Sequence, residues 1–157
     1  MPPTNLIERY AAGAQLVRES VAGMNREQIL ARPIAGKWST LEVVAHLADF
    51  EIIAVDRMMA IIAEENPTLP GRNEQQYVAR LAYDQRDLEE QLRLIELCRS
   101  HALRILRTLT EADWSRHGIH TEAGPLTLEQ QLERAVRHVE HHVKFIQEKR
   151  RALEALR

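Results

Sequence analysis

Trp38-Ser39-Thr40-Leu41-Glu42-Val43-Val44-Ala45-His46-Leu47-Ala48-Asp49 carries the signals that set the architecture. Ser39 with Glu42 three residues on is a capping box: the hydroxyl takes a free N–H of the first helical turn and the carboxylate reaches back to the backbone of the cap. Trp38, before the cap, faces Val43 as a hydrophobic staple, so a helix is predicted to start here. Leu41, Val44, Ala48, Ile52, Val55, Met59 and Ile62 recur at spacings of three and four and form its inward stripe. Val43, Leu47, Phe50, Ala54, Met58 and Ile61 make a second strip on nearly the opposite side. A helix with two apolar strips has to bury both, among several neighbouring helices or against a second subunit. The helix ends before Asn66-Pro67, because proline pushes its predecessor out of the α region.

Three more segments share this periodicity, and none shows sustained apolar alternation with period two, so the fold class is all-α. Before the central helix, Leu6, Tyr10, Ala14, Val17, Val21 and Met24 line one face of a first segment, with Thr4 or Asn5 as its cap and Gly23 and Asn25 as terminators. Proline and glycine in Arg32-Pro33-Ile34-Ala35-Gly36-Lys37 make a connector. After it, residues 67–85 are broken by Pro70, Gly71 and Asn73, with a short helix expected over Glu74–Leu81, and form a rim or lid. A third helix runs from about Arg86 to Leu109 along Leu88, Leu92, Ile95, Ala102 and Ile105. A Gly/Pro loop from Arg116 to Pro125 follows, and Thr127 with Gln130 caps a fourth helix striped by Leu128, Leu132, Ala135, Val136, Val139, Val143 and Ile146. Four helices of comparable length in a chain of 157 residues make a four-helix bundle, read as one domain over residues 1–157.

The formal net charge of −2 gives no general attraction for nucleic acid. Lys144, Lys149, Arg150, Arg151 and Arg157 make the C-terminal end basic and read as a solvated last helical turn. Cys98 is the only cysteine, which excludes an intrachain disulfide, and it reads as a small buried side chain. No apolar run reaches the roughly 18 residues needed to span a bilayer, and the first residues carry no signal-peptide pattern, so the expected compartment is the cytoplasm, with no membrane partner.

The chemistry concentrates in Arg137-His138-Val139-Glu140-His141-His142. On a helix advancing about 100° per residue, His138 and His142 share one face on the flank of the apolar stripe, and His141 points elsewhere. Two imidazoles one turn apart are half a metal site. His46, beside the second strip of the central helix, completes a three-histidine set if the two helices are neighbours. Glu-x-x-His occurs nowhere, which removes di-iron bundle chemistry, and the absence of His-Glu-x-x-His removes the zinc-protease pattern. His117 and His120 fall in the Gly/Pro loop and read as solvated, His101 reads as a surface or core-edge residue, and Asp49 reads as solvated surface.

Gly36-Lys37-Trp38-Ser39, Glu42-Val43-Val44-x-His46-Leu47-Ala48-Asp49 and His138-x-x-x-His142, with Glu64-Glu65-Asn66-Pro67 and the Ala123–Leu128 entry to the last helix, resemble the DinB-like family of four-helix metal proteins. The match is closest to its metal-dependent hydrolase and thiol-transferase branch. The resemblance implies an up-down-down-up bundle that forms a homodimer and holds one divalent metal on His46, His138 and His142. Three neutral imidazoles leave a coordination position open, the arrangement of catalytic rather than structural sites, and they suit zinc, nickel and iron. Such a site activates water for hydrolysis of a small-molecule substrate, or a low-molecular-weight thiol for S-transfer. The competing expectation is a non-catalytic dimeric binding or scaffold protein with a structural or vestigial metal site.

Overall fold

A computed structural model describes residues 2–156; Arg157 of the basic C-terminal run lies outside the described residues. Its elements are α1 (Thr4–Val21), α2 (Arg26–Leu30), α3 (Thr40–Ala63), β1 (Thr68–Leu69), α4 (Glu74–Arg80), α5 (Leu88–Leu106), β2 (His117–His120), β3 (Gly124–Thr127) and α6 (Leu128–Ala155). The capping box predicted for α3 is present: the Ser39 hydroxyl accepts from the Glu42 N–H at 3.2 Å, and the Glu42 carboxylate accepts from the Ser39 N–H at 2.7 Å and from Arg32. Ser39→Ala is expected to cost about 1 kcal/mol of stability, read from urea midpoints.

The long helices α1, α3, α5 and α6 form the bundle. Arg150 near the end of α6 donates to the carbonyls of Ser20 and Ala22 at the end of α1, so these two helices run parallel. Asp49 in the first half of α3 pairs with Arg86 just before α5, which makes α3 and α5 parallel, and Arg18 late in α1 pairs with Glu89 early in α5, which sets the pairs opposed. The order is therefore up, down, down, up. Among the described residues no helix is long and apolar enough to cross a membrane.

Two apolar clusters fill the bundle. One gathers Tyr10, Met58, Ile61, Ala102, Leu106, Leu128 and Leu132; the other gathers Val17, Val44, Leu47, Ile95, Val139 and Ile146. Both strips of α3 are largely buried within the chain, among the neighbouring helices, although Ile52 remains 46% exposed. At mid-height lies a polar layer contributed by all four long helices. Arg99, 1% exposed, donates to both the Glu51 carboxylate (2.8 and 3.0 Å) and the Tyr10 carbonyl (2.6 Å), and weakly to the Ala135 carbonyl (3.4 Å). The Tyr10 hydroxyl completes the layer by donating to Glu51 at 2.5 Å.

Several local expectations are corrected. No side chain caps α1: its N-cap is Pro3, and the Thr4 hydroxyl bonds back to the Pro2 carbonyl. Asn25 does not merely end the first segment. It caps α2 in a box with Gln28, a helix too short to leave a periodic pattern. The Gly/Pro loop holds a hairpin: β2 pairs antiparallel with β3 and parallel with β1. Its alternation is inverted with respect to hydrophobicity, with Gly118 and His120 inward and Ile119 outward, so apolar patterning could not reveal it. Gly118 is required by close approach, since a Cβ there would lie 2.9 Å from the Leu69 side chain. Gly118→Ala is expected to lose about 1–3 kcal/mol through overpacking, measured by thermal denaturation.

Candidate metal centre

His46 sits two turns into α3, and its position follows from the Ser39 cap. His138 and His142 lie one turn apart on α6. Because α3 and α6 pack side by side, the three rings meet, with centroids separated by 4.8, 4.7 and 4.7 Å. Their nitrogens available to an ion all fall within 4.8 Å of one another, and Nε2 of His46 is 2.8 Å from Nε2 of His138. His46 is fully buried, His142 is 8% exposed and His138 is half-buried.

Burial, followed by mutual proximity, pushes each of the three imidazoles down to about pKa 3. Arg99 in the polar layer contributes to the effect at His138. At neutral pH all three are uncharged and offer lone pairs, the form in which histidine binds metal. The Nδ1 atoms of His46 and His142 are buried and make no hydrogen bond to the protein. Three neutral nitrogen donors converging in a desolvated site, without a carboxylate between them, fit a divalent metal ion.

Aromatic groups wall the cluster. Trp38, the staple residue, lies parallel to the His142 ring at 6.4 Å and tilts over His46 at 5.1 Å, while Phe50 packs 4.4 Å from His46. A cavity of about 420 Å3 opens over His138 and His142 between Trp38, Phe145, Glu74 and Lys149. Glu74, the first residue of α4, brings a carboxylate oxygen to 3.9 Å from His46 Nε2. Its signal in the sequence was only its place at the start of the short rim helix, which pattern alone could not direct toward the histidines.

The remaining assignments divide. His141 and His101 are exposed, as is His117. His120, expected to be solvated, is 3% exposed: its Nδ1 accepts from the N–H groups of Glu122 and Ala123, both at 3.2 Å, because β2 turns it inward. Asp49 is not solvated surface but pairs with Arg86 at 2.6 Å, with 12% of its side chain exposed. Lys149, expected in a solvated turn, is buried beside the Phe145 ring. Cys98 is half-buried, and burial and then Glu51 raise its pKa, which keeps it a thiol.

Comparison with known proteins bears on the fold and the family. A protein of Oceanobacillus iheyensis, assigned by name and by inference to the metal-dependent hydrolases, is 29% identical over 132 residues, covering 84% of this chain and 76% of that one. The solved structure of YfiT from Bacillus subtilis, described as a probable metal-dependent hydrolase with an unusual four-helix bundle topology, superposes with a TM-score of 0.90 at 25% identity, covering 96% of this chain and 87% of that chain. A mycothiol-dependent maleylpyruvate isomerase shares the fold, with a TM-score of 0.71 at 16% identity, and this chain spans 60% of its length. The DinB superfamily model matches residues 9–146, from the first bundle helix through the His138 and His142 turn of the last. Sequence, bundle order and model coverage converge, and the chain belongs to the DinB superfamily.

Proposed function

We propose that His46, His138 and His142 hold one divalent metal ion and that the protein is a metal-dependent hydrolase acting on a small molecule. The observation that carries this reading is the convergence of three neutral, desolvated imidazoles whose ligand nitrogens lie within 4.8 Å of one another, two of them, His138 and His142, lining an open cavity. When bound, the ion supplies Lewis acidity, lowering the pKa of a coordinated water or thiol and polarising a substrate oxygen. The chain's own groups do the rest. Trp38 and Phe50 limit solvent at the rings and fix their orientation. Glu74, with its carboxylate at the edge of the cluster and half its side chain exposed, is placed to accept a proton from a group presented to the site.

A second reading, transfer of a low-molecular-weight thiol to an electrophile, is favoured by the size of the cavity, which with its Trp38 and Phe145 walls admits far more than water. The homodimer belongs to the same proposal, with the exposed Ile52 face of α3 as its seat; sedimentation of the native protein and of Ile52→Glu tests it.

Untagged protein is expected to purify with about one divalent ion per chain by elemental analysis, and the His46→Ala/His138→Ala/His142→Ala variant with none. Equal metal content in the two would overturn the site. With the loaded protein, turnover of an ester panel supports hydrolysis, and thiol consumption in the presence of an electrophile without ester turnover supports transfer. Metal lost only in the variant, with neither activity in the loaded parent, would leave a structural ion.

A further inference from the structure

Beyond the histidine cluster, His138 and Glu74 also wall a second cavity of about 210 Å3 on the side facing the hairpin. Its charged lining is unusual for so small a space. Arg57 of α3, Arg72 of the rim and Arg134 of α6 face it against the two carboxylates Glu74 and Glu122, which leaves an excess of one positive charge. Arg57 is 8% exposed and Gln131 2%. One guanidinium nitrogen of Arg57 donates to the Pro70 carbonyl, but its buried Nε–H donor has no hydrogen-bond partner. His120 adds a third polar group. Its Nδ1 accepts two backbone N–H groups, so its proton is on Nε2 and it offers a donor.

Buried polar groups cost stability unless they are paired, and a guanidinium kept from water beside two others is costlier still. Burial and the neighbouring Arg134 and Arg72 charges lower the pKa of Arg57, so the cavity strains toward an anion. The small sheet accounts for the wall: β1 and β2 bring the 67–72 segment against the hairpin, and the Gly71 N–H donates to the Thr121 hydroxyl at 2.8 Å.

We propose that this cavity is a carboxylate-binding subsite, in which Arg57, Arg134 and Arg72, with the His120 Nε2–H, take the acid group of a small substrate whose reacting part lies at the shared wall, His138. The assignment of the bound molecule as a substrate rests on the metal-centre reading; the anion site itself does not. A monoanionic carboxylate matches the single excess charge, and Arg presents the planar fork that such a group accepts.

The probe is acetate, titrated into 15N-labelled protein both as purified and after chelator treatment, with inorganic phosphate in a parallel arm. The arginine Nε–H resonance of Arg57 is expected to shift saturably with acetate in both preparations. Arg57→Met, followed through the Gln131 amide, is expected to weaken binding about tenfold or more, as loss of a hydrogen bond from a charged donor does. Arg134→Gln changes an exposed position of α6, and is expected to weaken it severalfold with the Arg57 signal retained. A response linear in concentration, or an affinity unchanged in both variants, overturns the subsite, and tighter binding of phosphate overturns the carboxylate assignment. Metal content is measured on the same samples: metal without a saturable acetate site removes this inference alone, and an acetate site without metal removes the proposed function alone.

Discussion

Arg99→Met is expected to destabilise the protein by about 3–5 kcal/mol, because it removes one partner of an ion pair that is almost wholly out of water. The side chains of Arg99 and Glu51 are 1% and 3% exposed, and the Glu51 carboxylate accepts from Arg99 on one oxygen and from the Tyr10 hydroxyl on the other. After the substitution Glu51 keeps one donor and loses the compensating charge, and the carbonyl of Tyr10 loses the guanidinium donor. Gly13 shows how closely α1 is fitted to this group, since a Cβ there would collide with the guanidinium. The matched apolar pair, Glu51→Leu with Arg99→Met, removes both charges and is expected to recover part of the loss, because desolvating two ions offsets much of their attraction. Urea denaturation followed by circular dichroism measures all three variants. A single variant within 1 kcal/mol of the parent would mean that the layer is hydrated in solution.

The histidines and the polar layer were not equally legible. His138 and His142 are joined by a spacing that any helix enforces, and His46 is placed by a capping box that starts α3 at a defined residue. Local rules therefore put each ring on a face, and a bundle of the expected order brings the faces together. Tyr10, Glu51 and Arg99 depend on contacts between residues 41 to 89 positions apart. Their trace in the sequence is a charge set within an apolar stripe: Arg99 falls between Ile95 and Ala102, and Glu51 between Ala48 and Val55. His120 was hidden for a different reason. A four-residue strand that turns glycine and histidine inward and isoleucine outward violates the pattern by which strands are recognised. The carboxylate cavity draws its charges from α3, the rim, the hairpin and α6, so no single stretch of sequence contains it.

The polar layer also bears on the metal centre. Ala135, whose carbonyl meets Arg99, lies one turn before His138, and Glu51 lies little more than one turn after His46. The layer fixes the register of α3 against α6 and with it the separation of the rings.

Single replacement of a cluster histidine is expected to have the other large effect. His46→Ala should lower metal affinity by well over about 100-fold, the upper range for loss of groups that only orient a ligand. In the parent, an ion present at about 1,000 times its Kd adds about 4 kcal/mol of stability by mass action, so melting should rise with added zinc or nickel in the parent and stay flat in the variant. Acid supplies an independent readout. In the metal-free fold His46, His138 and His142 are pushed down to about pKa 3, whereas in the unfolded chain each titrates near its ordinary 6.5. Between these values the unfolded chain binds protons that the folded site refuses, so stability is full above pH 6.5 and falls as pH drops toward 3. The slope is at most about 1.4 kcal/mol per pH unit for each histidine. His46→Ala removes one contributor and relieves the desolvation of its neighbours, and its metal-free stability should therefore be flatter in that window. A variant that melts like the parent with added metal, and that retains the parent's slope between pH 6.5 and 3, would show that His46 neither binds an ion nor is held neutral by its surroundings.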